Sequence, residues 1–301
     1  MHMELWYSIA TVLLASVLTS GIICCVVAII GMQKLSLYRN TFGHITTYKC
    51  AASAILLTML LLWTIPCCIW HLDYSYVLLN KRIGMVMMFF NTCVYLSTVI
   101  GSTSRMIAVA LPSKAHWLSA TNITLVLLIV STMSFFYSLL FLPDTECGRL
   151  LAIYGDFLSG ITMFSISLLM DLISISCLRK MRKRIASTLT LNTNKERFRR
   201  EVYMTAQTSI NTILCYVMLF SYHISSSLFT AHSFVIFLST NFLWCFVIAS
   251  GGYTAVFFNS EIRISLFISS NRFTMFRGKS VMNVATAAVT STSVYSVRMR
   301  H

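Results

Sequence analysis

The sequence is short of charge. Only 11% of its 301 residues are Asp, Glu, Lys or Arg, less than half of the roughly 25% usual in globular domains. That is too little to coat a water-soluble protein of this length. Proline is almost missing, at three residues, and glycine is modest at eleven, which excludes collagen-like and Pro-rich disordered chains. Catalytic signatures are absent as well: there is no P-loop, no GxSxG, no HExxH and no GxGxxG opening a helix. Two acids fall inside apolar segments, Asp156 and Asp171. They lie about four helical turns apart on one stretch, too far to share a proton as a catalytic pair. No Cys/His spacing fits zinc. The chain is therefore expected to be neither an enzyme nor a holder of metals or cofactors. It also lacks the paired halves of a transporter and an ion-selectivity filter.

Apolar length is what the sequence has. Hydrophobic residues make up 57% of it, and its mean hydropathy is +0.76. About 20 apolar residues cross a bilayer as a helix, and seven runs reach that length: 8–31, 45–70, 83–111, 119–142, 151–178, 205–230 and 234–258. Backbone polar groups in lipid must be satisfied within their own segment, so each run is predicted to be helical. The expected fold is all-α, a seven-helix membrane bundle, with a short segment 1–7 before it and a tail 259–301 after it. The first run is read as a spanning helix and not a cleaved leader, because nothing basic precedes it and its apolar stretch is too long.

The charges that remain are sided. Lys and Arg total 23 against nine Asp and Glu, a formal net charge of +14. If residue 1 is outside, twenty of the 23 cations fall on the inner side, and only Lys81, Arg82 and Arg149 fall outside. Basic residues accumulate on the cytoplasmic face, so the N-terminus is expected outside and the C-terminus inside. The positive charge is thus a topology signal, and nucleic acid is not an expected partner. The densest cluster lies between the fifth and sixth runs: Arg179, Lys180, Arg182, Lys183, Arg184, Lys195, Arg197, Arg199 and Arg200. It can anchor to anionic membrane lipid, or dock a cytosolic partner, or both.

Nine of the ten cysteines fall within the apolar runs, as small packing groups do. Cys147 alone lies in a loop, on the expected oxidising side, and Cys67 or Cys68 near the outer end of the second run is its candidate disulfide partner. Residues 259–267 alternate charged and apolar side chains and could lie on the inner leaflet as a short amphipathic helix.

The chain resembles the nematode serpentine chemoreceptors of class x (Srx), within the rhodopsin-like G-protein-coupled receptors. Four stretches carry the resemblance: Arg39-Asn40-Thr41-Phe42-Gly43 entering the second run, Ser104-Arg105-Met106-Ile107-Ala108-Val109-Ala110-Leu111-Pro112 closing the third, Glu201 with Gln207 opening the sixth, and Phe257-Phe258-Asn259-Ser260-Glu261-Ile262-Arg263 closing the seventh after Trp244 and Gly252. The sequence departs from the family at Ser53 and Gly251, where Asp is usual, and at Ser104, where Asn is usual. The resemblance implies a chemoreceptor in the plasma membrane of sensory cells. It would bind a small molecule inside the bundle and signal through a heterotrimeric G protein. By that resemblance Arg105 faces the G protein, with Arg179, Lys180, Arg182, Lys183, Arg184, Arg199 and Arg200 around it. The alternatives are a degenerate receptor without coupling and a ligand-gated, channel-like chemoreceptor.

Depth along the helices supplies the remaining candidates. Asn91, Tyr95, Asp156, Tyr222, His223, Asn241 and Trp244 lie in the outer halves of their runs and are candidate ligand contacts. Arg105 and Asp171 lie at similar depth near the inner ends of the third and fifth runs. An unpaired Asp in a membrane helix costs about 3 kcal/mol. Two solutions stay open: an Arg105–Asp171 pair locking the inner half of the bundle, or an Asp171 satisfied by a neighbouring Ser or Thr.

Overall fold

The computed structural model describes residues 2–34, 41–70, 77–111, 113, 118–139, 146–187, 192–228, 233–259 and 262–263. These residues are helical apart from short connections, and no strand occurs among them. The helices are α1 (His2–Lys34), α2 (Thr41–Trp70), α3 (Val77–Ala110), α4 (Ala120–Leu139), α5 (Glu146–Ser187), α6 (Asn192–Leu228), α7 (Ser233–Phe237) and α8 (Leu243–Phe258). A π-helical turn, Leu238–Phe242, joins α7 to α8 without a break in right-handed helical backbone, so 233–258 form the seventh rod of the bundle.

Six rods are long and apolar enough to cross a membrane: Ser8–Lys34, Thr41–Cys67, Leu79–Ala110, Thr121–Leu139, Phe157–Arg182 and Phe234–Phe258. The remaining rod, α6, is diluted by Gln207, Thr208, Asn211 and Thr212. All four are buried, so its polar stripe faces the bundle and not the surrounding lipid.

Helix bounds extend past the apolar runs at several places. Helices α2 and α3 begin at Thr41 and Val77, and α5 begins at Glu146, so Cys147 is on its first turn and not in a loop. The segment before the first run is helical from His2. Helices α5 and α6 reach Ser187 and start at Asn192, so most of the expected basic loop is helix. Arg, Lys, Glu and Met are good helix formers, and no Pro or Gly interrupts 179–200. Hydropathy marks where lipid ends, whereas the hydrogen-bond ladder continues past it. Of the proposed amphipathic helix at 259–267, only residues 259, 262 and 263 are among those described.

Helix α3 is central, packing on α2, α4, α5 and α6, while α8 packs on α1, α2 and α6. Where α1 meets α8 the backbones approach closely. A Cβ on Gly252 would stand 2.8 Å from the Cys25 backbone nitrogen, and one on Gly21 would stand 2.6 Å from the Ala249 Cβ. Lipid offers little hydrophobic incentive for helices to associate, so packing of small residues carries such contacts. Around this seam lies a cluster with Leu14, Leu18, Cys25, Leu56, Leu57, Ile248 and Ala249. A second cluster joins α3, α5, α6 and α8 through Tyr95, Phe164, Cys215, Met218, Leu219 and Val247. Helix α4 sits on the rim: Leu125, Leu128, Ile129, Met133, Phe135 and Phe136 are exposed, and the Tyr48 and Ser131 hydroxyls bond at 2.7 Å to hold it to α2.

Candidate functional site

The cations gather at one end of the bundle, where α1, α3, α5 and α8 terminate and α2 and α6 begin. At this basic end the last turns of α3 turn Arg105 into the bundle, where the residue is 5% exposed. Its Nη1 donates to Glu201 Oε2 on α6 at 3.0 Å and approaches Met204 Sδ at 3.1 Å. The guanidinium lies over the Phe42 ring of α2, 4.2 Å from its centroid. An arginine at the lipid boundary needs a counter-charge or a π face, and here it has both.

Asp171 is fully buried on α5. It accepts from Thr208 Oγ1 at 3.1 Å and Thr212 Oγ1 at 3.2 Å, both on α6. Ser102 and Ser209 stand nearby without well-formed bonds. The Arg105–Asp171 lock is therefore replaced by two separate arrangements, Arg105 with Glu201 and Asp171 with threonines. Equal depth does not set which way a side chain points around its helix, and Arg105 faces α6 at the height of Glu201. The acid was visible in the sequence. Its role was not, because 201 precedes the apolar run that depth was counted from.

Between these layers runs a polar seam that depth counting missed. The Oδ1 of Asn211 accepts from Ser250 and Thr254 of α8, each at 3.2 Å. The signal was present, since Gln207 and Asn211, and Thr208 and Thr212, are each four apart and so stack on one helix face. A cavity of about 20 Å³ opens here, lined among others by Lys49, Ser97, Thr98, Gln207, Thr208, Asn211 and Gly251. Lys49 is half-buried, and a Cβ on Gly251 would lie 3.4 Å from its Cε. The departure from Asp at 251 thus leaves room for a lysine stem. Ser53, the matching departure on α2, is fully buried with no partner for its hydroxyl. Ser104 is likewise buried beside Arg105.

The segment closing α8 has a structural reading too. Asn259 Nδ2 donates to the Ala255 carbonyl at 2.7 Å. Arg263 Nη1 donates to the Val256 carbonyl at 3.0 Å and also to that of Phe257, satisfying acceptors that a helix end leaves open. Ile262, fully buried, packs on Gly31.

Of the basic candidates, Arg179, Lys180, Arg182 and Arg199 are exposed. The Arg199 guanidinium donates to the Tyr203 hydroxyl at 3.3 Å. The side chains of Lys183, Arg184 and Arg200 lie outside the described residues.

At the far end the structure brings some ligand candidates together and separates others. Trp244 Nε1 donates to Asn91 Oδ1 at 3.3 Å. Tyr95 meets Phe164 edge-on at 5.0 Å, and Trp244 packs against the same cluster. His223 lies 4.4 Å from the Phe157 ring, itself packed on that cluster. Asn91, Tyr95, Trp244 and His223 therefore belong to one aromatic layer linking α3, α5, α6 and α8. Tyr222 touches only its edge, meeting the His223 ring at 5.2 Å, and both Tyr222 and Asn241 are exposed. They share the right depth but occupy the outer faces of their helices. The Asp156 side chain lies outside the described residues. Cys67 carries a free thiol, so its bridge to Cys147 is not present: closeness to a helix end does not bring two Cβ atoms within disulfide reach. The Cys68 and Cys147 side chains lie outside the described residues.

Among the described residues, no group of three His, Cys, Asp or Glu could hold a metal ion. The family model described as "Serpentine type 7TM GPCR chemoreceptor Srx" matches residues 16–259, a stretch that runs from within α1 to the end of α8 and includes the Arg105, Asp171 and Trp244 layers. No curated protein matches the chain.

Proposed function

Because this chain belongs to the Srx serpentine seven-transmembrane chemoreceptors, we propose that it binds a small molecule within the bundle and activates a heterotrimeric G protein. The basic end then faces the cytoplasm of a sensory cell and the far end faces outward, as the sidedness of Lys and Arg favours. A receptor of this kind is a balance between two packings, which a ligand shifts by binding one better than the other.

One observation carries the reading: Arg105 is held by Glu201 and Phe42. This clamp ties α2, α3 and α6 at the end where a partner docks. It bridges α3 and α6, and Arg179, Lys180, Arg182 and Arg199 are exposed on α5 and α6 at the same end. Separation of α6 from α3 breaks the pair and presents a free guanidinium to the partner. At the far end the Asn91–Trp244 bond and the Tyr95–Phe164 contact join the same helices. A ligand wedged among them would alter the relative placement of α3, α6 and α8, and rigid helices carry that change along their length.

The test is G-protein activation in cells expressing the receptor, against panels of small volatile and water-soluble compounds, with Arg105→Ala as control. A compound that activates the wild type and not the variant, at equal surface expression, supports the reading. Equal responses in both, or none from a well-expressed receptor across the panels and all Gα classes, count against it.

A further inference from the structure

The polar cavity beside Lys49 is lined by both donors and acceptors. Ser97 and Thr98 both spend their hydroxyl protons on the Val94 carbonyl. The Thr208 proton is shared between Asp171 and the Thr205 carbonyl. These three hydroxyls therefore turn only lone pairs toward the cavity. Gln207 Oε1 is buried and bonds to no protein atom. Beside these acceptors stand donors: the Asn211 amide, whose oxygen is taken by α8, the Gln207 amide nitrogen, the Thr46 hydroxyl and the Lys49 ammonium. Such a mixed wall suits a water molecule, which both donates and accepts.

Lys49 is the cation already there. No described residue bonds to it directly or forms an ion pair with it. The groups that act on it through space are Asp171 and the thiols of Cys215, Cys50 and Cys25. Among these Asp171 is the one carboxylic acid. Asp171 in turn has hydroxyl donors but no cation within bonding distance. Each charge is thus stranded unless the other answers it, and the cavity lies between them with Thr208 on its wall. Its volume of about 20 Å³ exceeds the roughly 10–15 Å³ that one water needs, and polar partners for that water stand on several sides.

We propose that this cavity is a hydration site through which the Lys49 ammonium neutralises Asp171, so that one water-bridged charge pair holds α2 and α5 to α6. The bridge runs from Lys49 through bound water to Gln207 Oε1 and the Thr208 hydroxyl, which passes it to the carboxylate. Water is the ligand class, and the tethered ammonium makes a free cation unnecessary.

Thermal unfolding of the full-length receptor in lipid nanodiscs tests this without relying on signalling, so its failure is distinct from failure of the receptor reading. Lys49→Met and Asp171→Asn should each lower the midpoint by several degrees. The double variant should lose clearly less than the sum, because no charge is then left alone. Strictly additive losses overturn the pair. Should Lys49→Met alone fail to fold, recovery of folded yield in the double variant supports the proposal, and an equally poor yield overturns it. In a Thr208→Val background the coupling between 49 and 171 should fall toward zero; coupling of full size there overturns the bridged route.

Discussion

Arg105 on α3 and Glu201 on α6 meet at 3.0 Å across the basic end of the bundle, with the arginine face lying on Phe42 of α2. The glutamate side chain is 18% exposed and the arginine 6%, so the pair sits between a surface bridge and a buried one. Its coupling should then be roughly 1–2 kcal/mol.

Glu201→Gln removes the charge while keeping the shape. If the pair holds α6 against α3, this variant should raise basal G-protein activation by up to roughly 5- to 30-fold, the population shift that such a coupling implies. Cell-surface expression should stay near wild type. Unchanged basal activity at matched expression would mean that the pair does not restrain α6.

Gly252 faces the Cys25 backbone with no space for a side chain, while Gly84 has nothing within 4 Å of where a Cβ would stand. Gly252→Leu should therefore force α1 from α8 and destabilise by about 1–3 kcal/mol or more, seen as a lower melting midpoint and poor surface expression. Gly84→Ala should be neutral or slightly stabilising, since it only gains helix propensity. Equal behaviour of the two would contradict the close α1–α8 seam.

Trp244→Phe keeps the aromatic bulk but deletes the indole N–H that bonds Asn91. Once an agonist is found, this variant should weaken its potency by about 5- to 10-fold, in keeping with the loss of one hydrogen bond of roughly 1 kcal/mol. Tyr222→Phe, on a lipid-facing position, should leave the concentration–response curve in place. A shift with Tyr222→Phe but none with Trp244→Phe would move the ligand site away from the aromatic layer.

The exposed cations Arg179, Lys180, Arg182 and Arg199 offer a surface for an acidic partner. Reversing three of them to Glu should slow G-protein activation in membranes, most strongly at low ionic strength, because such steering is screened over about 8–10 Å in physiological salt. Agonist binding should be unaffected. A loss that does not change with salt would point to misfolding or to a specific contact instead.

The rods were legible because the bilayer leaves a chain one solution. Long runs without charge, such as 8–31 and 119–142, become helices wherever they pack, and the family signal in Arg105, Phe42 and Asn259 follows the same rods. Site residues were legible only in part. Depth can be counted along a helix, and it correctly grouped Asn91, Tyr95, His223 and Trp244 at one level. It also admitted Tyr222 and Asn241, which share that level but turn outward, and it matched Arg105 to Asp171 when each had another partner.

Composition and hydropathy alone thus determined that this is a membrane protein of seven helices with its cations mostly at one end, since the cost of exposing backbone or charge to lipid depends on the segment and hardly on its neighbours. Which side chains meet was decided by the tertiary structure. Rotation of a helix about its own axis is fixed by packing against other helices, so the Arg105–Glu201 clamp, the threonines around Asp171 and the cavity beside Lys49 exist only once α2, α3, α5 and α6 have come together.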